Sequence, residues 1–163
     1  MRTSKVIQTL CVGMSVCAFT ILAVSSALSA QSDPSVGTWK LNAAKSKYSP
    51  GPMPKEQTVT IEAAGDETKV TVKGTGADGS PIDLSYSYKL DGKDYPMSGS
   101  QDFDSVALKR NGTTVDGVRK KAGKQVQTYS RVVSKDGKTM TVTVKGTNAK
   151  GQTINNVSVY EKQ

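Results

Sequence analysis

The chain has 163 residues, a formal net charge of +8, 36% hydrophobic and 22% charged residues and a mean hydropathy of -0.41. That arithmetic fits one globular domain with a small appendage, and it excludes collagen, coiled coil and wholesale disorder. Beyond residue 30 there is no His and no Cys, which removes the usual general base, the thiol nucleophile and the commonest zinc ligands together.

The chain opens with Arg2 and Lys5, continues with an apolar run from Leu10 to Val24, and then places the small residues Ser25, Ser26, Ala27, Ser29 and Ala30. A charged start, an apolar middle of roughly 15 residues and a small-residue end are the parts of a secretory signal peptide. Residues 1–30 are therefore expected to be removed, after Ala27 or Ala30, taking Cys11 and Cys17 with them. The run is shorter than the roughly 20 residues a membrane span needs, so no transmembrane segment is expected after cleavage. The exported domain, residues 31–163, would reach the periplasm or the extracellular space as a monomer with 20 Lys+Arg against 14 Asp+Glu, a net +6.

Seventeen of those 20 cations are lysines scattered along the chain. Scatter of this kind marks a solvated surface with protected strand edges, whereas a nucleic-acid reader clusters Arg with aromatics. No nucleic-acid partner is expected. Loose attraction to anionic envelope polymers is the surface alternative.

From Val36 onward, Thr/Val-rich stretches alternate with turn residues every 8 to 15 positions, the spacing of an all-β sandwich or barrel. Strands are predicted near 36–41, 55–63, 68–75, 82–90, 95–98, 105–110, 113–121, 124–134, 139–147 and 153–162. Ile82, Leu84, Tyr86, Tyr88 and Leu90 alternate with polar residues, giving one buried face; Val59, Ile61 and Ala63, and Met140, Val142 and Val144, repeat the pattern. Gly65-Asp66, Asp78-Gly79, Asp91-Gly92, Asn111-Gly112, Ala122-Gly123, Asp136-Gly137 and Lys150-Gly151 supply tight turns, so neighbouring strands should pair antiparallel. No crossover helix follows Tyr48, which argues against Rossmann and phosphate-loop folds.

Val70–Thr75 recurs as Val142–Thr147, and the 72-residue offset persists at Ile82/Ile154 and Tyr88/Tyr160. Duplication, equivalent roles in a quasi-symmetric barrel, and convergent Thr/Val strands all account for it. Asn42 to Pro54 is the one long irregular connection: Asn42 can cap a turn or two, and the Pro-rich end must run extended.

Catalytic patterns are weak. Asp102-Phe103-Asp104 lacks the ligand loop that calcium needs, and no Ser stands in a nucleophile elbow. No enzyme activity, metal or cofactor is expected.

Val36-Gly37-Thr38-Trp39-Lys40-Leu41 resembles the opening strand of the lipocalins and their calycin relatives. Together with Asp91-Gly92-Lys93-x-Tyr95-Pro96 and the stretch from Val133 to Thr141, it resembles small exported bacterial lipocalin-like proteins over nearly the whole exported chain. The resemblance implies an antiparallel up-and-down β-barrel of about 8–10 strands, like lipocalins and fatty-acid-binding proteins. It also implies a cavity, a tryptophan plugging the closed end and, for some members, small apolar ligands. In fatty-acid-binding relatives the connection corresponding to Asn42–Pro54 is a helical lid, which places this segment over the open end.

If Lys135-Asp136-Gly137-Lys138 closes a two-residue hairpin, Val133 pairs with Met140, Arg131 with Val142 and Tyr129 with Val144. Arg131 and Tyr129 then share the apolar face, and the guanidinium needs a partner. A ligand carboxylate, Asp116 one strand back, or solvent at the rim would serve. Arg–Tyr anchoring of a carboxylate resembles the fatty-acid-binding relatives. The reading is an exported, non-enzymatic barrel for a small apolar or amphiphilic ligand, with Arg131, Tyr129, Tyr86, Tyr88 and Met140 as candidate contacts. The alternative is an envelope or extracellular interaction protein with a filled core and a basic working surface.

Overall fold

The computed structural model describes residues 33–163, and the expected signal peptide lies outside the described residues. Ten strands follow: β1 (Gly37–Leu41), β2 (Glu56–Ala64), β3 (Glu67–Thr75), β4 (Pro81–Tyr88), β5 (Tyr95–Ser98), β6 (Ser105–Asn111), β7 (Thr114–Lys121), β8 (Lys124–Val133), β9 (Thr139–Thr147) and β10 (Thr153–Lys162). Each pairs antiparallel with its sequence neighbours, and β1 pairs with β10 to close a barrel. Closure leaves no free edge in the ring, which is how a chain rich in Thr and Val strands avoids edge-to-edge association.

The period-two pattern sets which residues point inward. Val133 pairs with Met140, Arg131 with Val142 and Tyr129 with Val144, the register expected from a hairpin at Asp136-Gly137. Val115 pairs with Arg131, Gly117 with Tyr129 and Arg119 with Gln127, so these residues share the inner face. The core of the barrel includes Trp39, Ile61, Val70, Tyr86, Tyr88, Leu108, Tyr129, Met140 and Tyr160.

The Val70–Thr75 and Val142–Thr147 repeats occupy equivalent places. Gly74 of β3 pairs with Gln57 on one side and Ile82 on the other, and Gly146 of β9 pairs with Gln127 and Ile154. At both glycines a Cβ would fall on the backbone of the preceding strand, at Glu56–Gln57 and Val126–Gln127 respectively. The two repeats thus do the same job: each lets a strand close tightly against a neighbour that turns a glutamine into the interior.

Two ends result. The connections β1–β2, β3–β4, β5–β6, β7–β8 and β9–β10 lie at one end, and the remaining connections, the chain from Asp33 and the C-terminus lie at the other. The second end is closed. There Trp39 is fully buried, its indole N–H donates to the Ser35 carbonyl at 2.8 Å, and the Lys162 ammonium lies 5.1 Å from its ring.

Three local expectations are corrected. Asp91-Gly92 does not close a tight β4–β5 hairpin, because Asp91 bridges to Lys109 and the Gly92 N–H donates to the Leu108 carbonyl, so the loop crosses to β6. The Asn42–Pro54 connection lies at the end opposite Trp39, as a cover over the open end requires, but it is no helical lid. Asn42 caps only the 3-10 turn Ala43–Lys45, and the chain then runs beside β10, with Lys47 bridged to Val157 and the Ser49 carbonyl accepting from Asn155 N–H. It continues the wall where β1 stops. Asp116, the suggested internal partner of Arg131, pairs with Ser130 and therefore points outward, where it accepts from the Thr114 hydroxyl at 2.7 Å.

Candidate functional site

The barrel encloses a cavity of about 580 Å³ that opens among Tyr48 and Pro54, the β3–β4 turn at Asp78–Ser80, and the β5–β6 loop at Gly99–Phe103. Its walls come from the inward rows, with Val59, Ile61, Val70, Val72, Leu84, Val142 and Val144 presenting methyl groups to the interior. Val72, Leu84 and Val142 stay only partly buried although they point inward, since what they face is open space. A volume of this size falls in the range of small-molecule pockets, about 300–1,000 Å³.

Of the candidate contacts, Arg131, Tyr129, Tyr86 and Met140 line the cavity. Tyr88 does not: it is fully buried at the closed end, and its hydroxyl accepts from an Arg131 Nη at 3.0 Å. That correction follows from its place as the last residue of β4 at that end. Burial raises the Tyr86 hydroxyl well above the ordinary tyrosine range, so it remains a neutral donor and acceptor in the wall.

Arg131 is 2% exposed and finds its partners inside the protein. Besides Tyr88 it lies 4.0 Å from the Asp33 carboxylate, which pairs more closely with Arg110 at 2.6 Å. Asp33 also accepts from the Ser35 N–H at 2.9 Å and the Ser35 hydroxyl at 2.6 Å. Burial opposes the Asp33 charge, but the Ser35 hydrogen bonds and the fields of Arg131 and Arg110 outweigh it and hold the carboxyl below its usual pKa. The residues just before β1 thus fold under the barrel and supply the acid that Arg131 shares.

A second arginine stands nearer the mouth. Arg119 lies two residues from the mouth end of β7 and pairs with Gln127, whereas Arg131 lies four residues, about 13 Å of strand, further along β8 toward the closed end. The Arg119 guanidinium carbon sits 4.4 Å from the Phe103 ring centroid and 5.0 Å from that of Tyr129. One Nη donates to Gln127 Oε1 at 3.3 Å, and Gln127 Nε2 in turn donates to the Thr147 carbonyl at 3.2 Å. Sequence reasoning named neither Arg119 nor Gln127 as a site. The parity of β7 against β8 places both inward only once the register shift between Arg119 and Lys120 is known, and no sequence pattern announces that shift.

Asp102-Phe103-Asp104 is a latch across the mouth. Asp102 Oδ1 accepts from Ala149 N–H of the β9–β10 turn at 2.7 Å, and Asp104 Oδ2 accepts from Ala122 N–H of the β7–β8 turn at 2.9 Å. Between the two acids, Phe103 turns inward to 5% exposure against Arg119. Among the described residues no cluster of His, Cys, Asp and Glu suits a metal ion, and no helix is long and apolar enough to cross a membrane.

The chain is a ten-stranded closed antiparallel barrel around an interior cavity, a fold like that of fatty-acid-binding proteins. Two of the solved structures that share it are binding proteins. One is fatty-acid-binding protein 1 of Echinococcus granulosus, at 15% identity and a TM-score of 0.54, covering 80% of this chain and 98% of that one. The other is the zebrafish ileal bile acid-binding protein complexed with cholic acid, at 16% identity and a TM-score of 0.54, covering 80% of this chain and 99% of that one. No protein-family model and no curated protein matches the sequence.

Proposed function

We propose that the protein is an exported, monomeric, non-enzymatic carrier that holds a small apolar or amphiphilic molecule inside its barrel. The observation that carries this reading is the cavity of about 580 Å³, open at one end, whose lining combines valine, isoleucine, leucine and methionine side chains with tyrosine, glutamine and arginine. Transfer of an apolar chain from water into such a space is favourable at about 25 cal/mol per Å² of apolar surface removed from water. The charged, apolar and small-residue order of residues 1–30 supports export. Tyr86, Tyr129 and Met140 are assigned to the ligand-facing wall. At 15% and 16% identity the likeness to barrels named for fatty acid and for bile acid speaks for the fold, and the ligand class rests on this chain's own interior.

The open interior supports the carrier over an interaction protein with a filled core, since a packed barrel leaves only its surface to work with. Native mass spectrometry of protein recovered from its own host is the test. A retained lipid-like mass, displaced by added amphiphile, is the expected result. Protein that arrives empty and binds neither fatty acids nor long-chain alcohols removes the carrier reading. Detection of Cys11 and Cys17 in the intact mass removes the signal-peptide assignment.

A further inference from the structure

We propose that Arg119, held at the mouth by Phe103, Tyr129 and Gln127, is the binding site for the anionic head group of an amphiphile whose apolar tail runs inward along the barrel wall. The inference rests on the carrier reading and adds to it the ligand's charge, its orientation and the residue that selects it.

The inward arginines differ in the partners they already hold. Arg110 and Arg131 share the Asp33 carboxylate at the closed end, and Arg131 also bonds Tyr88. Arg119 lines the cavity and has no carboxylate partner among the described residues; its side-chain bond there is to the neutral Gln127. Aromatic rings hold a guanidinium through its face and leave the in-plane N–H groups free to donate. Phe103 and Tyr129 take that role here, so the planar fork is fixed while most of its donors stay open. No buried side-chain nitrogen or oxygen lacks a partner among the described residues, so the unused Arg119 donors reach accessible space rather than being sealed in protein.

The surroundings suit an anion at this height. The two acids on the cavity rim are turned to other work: Asp78 accepts from the Ser80 N–H and hydroxyl, and Asp102 accepts from the Ala149 N–H. Below Arg119 the inward rows present Val59, Ile61, Val70, Leu84, Val142 and Val144, which take a hydrocarbon tail, and the Arg131 guanidinium at the inner end is already engaged by Tyr88 and Asp33. A carboxylate, sulfonate or sulfate ester on a single chain has the matching chemistry.

Titration calorimetry of the full exported domain with dodecanoate and with 1-dodecanol tests the proposal. Arg119→Gln is expected to weaken dodecanoate about tenfold or more while shifting 1-dodecanol by less than about twofold, since only the acid loses a charge-assisted bond. Arg119→Lys keeps the charge but not the fork and should fall between the two. Equal loss for both ligands, no loss for either, or a selective loss of dodecanoate in Arg131→Gln but not in Arg119→Gln overturns the assignment. Binding of neither ligand by the unaltered protein overturns the carrier reading itself. Should Arg119→Gln fail to fold, intermolecular NOEs in the unaltered protein decide: contacts from the dodecanoate C2 protons to the Phe103 ring and from its methyl end to Ile61 are expected, and the reverse orientation sinks the idea.

Discussion

Lys162 and Trp39 face each other across the seam where the last strand meets the first, paired in register with the ammonium 5.1 Å from the indole ring. The contact roofs the closed end from outside, while the Ser35 carbonyl takes the indole N–H from within. Lys162→Ala should cost about 0.5–1 kcal/mol, the worth of a cation over an aromatic face at an accessible site, and Lys162→Arg should restore most of it. Trp39→Ala, which empties a fully buried site, should cost about 3–5 kcal/mol. Chemical denaturation of the three variants measures both.

Asp33 gives the closed end its pH dependence. Its carboxyl is more acidic folded than free, so the stabilisation it contributes is complete above the ordinary aspartate value of about 3.9 and is lost as pH falls through the lower folded value. Asp33→Asn should therefore lower stability by about 1–3 kcal/mol at pH 7, with the gap to the unaltered protein narrowing toward pH 3. Thermal melts across that range give the comparison, and a gap that stays constant below pH 4 would falsify the assignment of Asp33 as the charged partner.

The strands were legible from the turn residues that separate them and, for β2, β4 and β9, from a period-two pattern, and the β8–β9 register followed from a single turn at Asp136-Gly137. What escaped was set by tertiary contact. The parity of β7 could not be read because the register shifts between Arg119 and Lys120, so Asp116 was considered inward when it is outward and the facing of Arg119 stayed open. Asp33 sits in irregular chain before β1, where no periodicity says that it reaches Arg110 and Arg131. Asp102-Phe103-Asp104 read as a surface loop because its partners, Ala149 and Ala122, belong to hairpins distant in sequence.

The repeated glycines should be intolerant for one shared reason. Gly74→Ala and Gly146→Ala each drive a methyl into the backbone of the preceding strand, which cannot move without breaking its ladder. Each should cost about 1–3 kcal/mol, with Gly146 the worse because its φ of +143° adds strain for any side chain. Urea midpoints of the two variants provide the check, and a neutral effect at either glycine removes the equivalence of the two repeats.

The mouth latch predicts a kinetic effect on ligand release beside a moderate loss of stability. Asp102→Ala removes one hydrogen bond at the rim and Asp104→Ala removes two, from the Ala122 N–H and the Ser105 hydroxyl, each worth about 0.5–1.5 kcal/mol, and together they free the loop that carries Phe103. Amide exchange at Ala122 and Ala149 should quicken, and a bound amphiphile should leave faster, while the melting temperature falls by several degrees. Stopped-flow release of a fluorescent fatty acid tests this, and an unchanged off-rate in the double variant means that entry and exit do not pass the β5–β6 loop.

Arg131 separates structural from ligand-binding roles at the deep end. Arg131→Met keeps most of the side-chain volume, removes the donor to Tyr88, and leaves Asp33 with Arg110 and Ser35. Its cost should be about 1–3 kcal/mol, the penalty of leaving one buried hydroxyl without its partner. Arg131→Ala loses the same bond and also hollows the floor, so it should be less stable than the methionine variant. The added space lies at the inner end of the cavity, where the proposed tail ends. Chain-length preference should therefore move toward longer fatty acids in Arg131→Ala and stay put in Arg131→Met. Affinities for the C12 and C16 acids, measured beside the melts, distinguish this from head-group anchoring at Arg131, in which both variants would lose every acid and keep the alcohols.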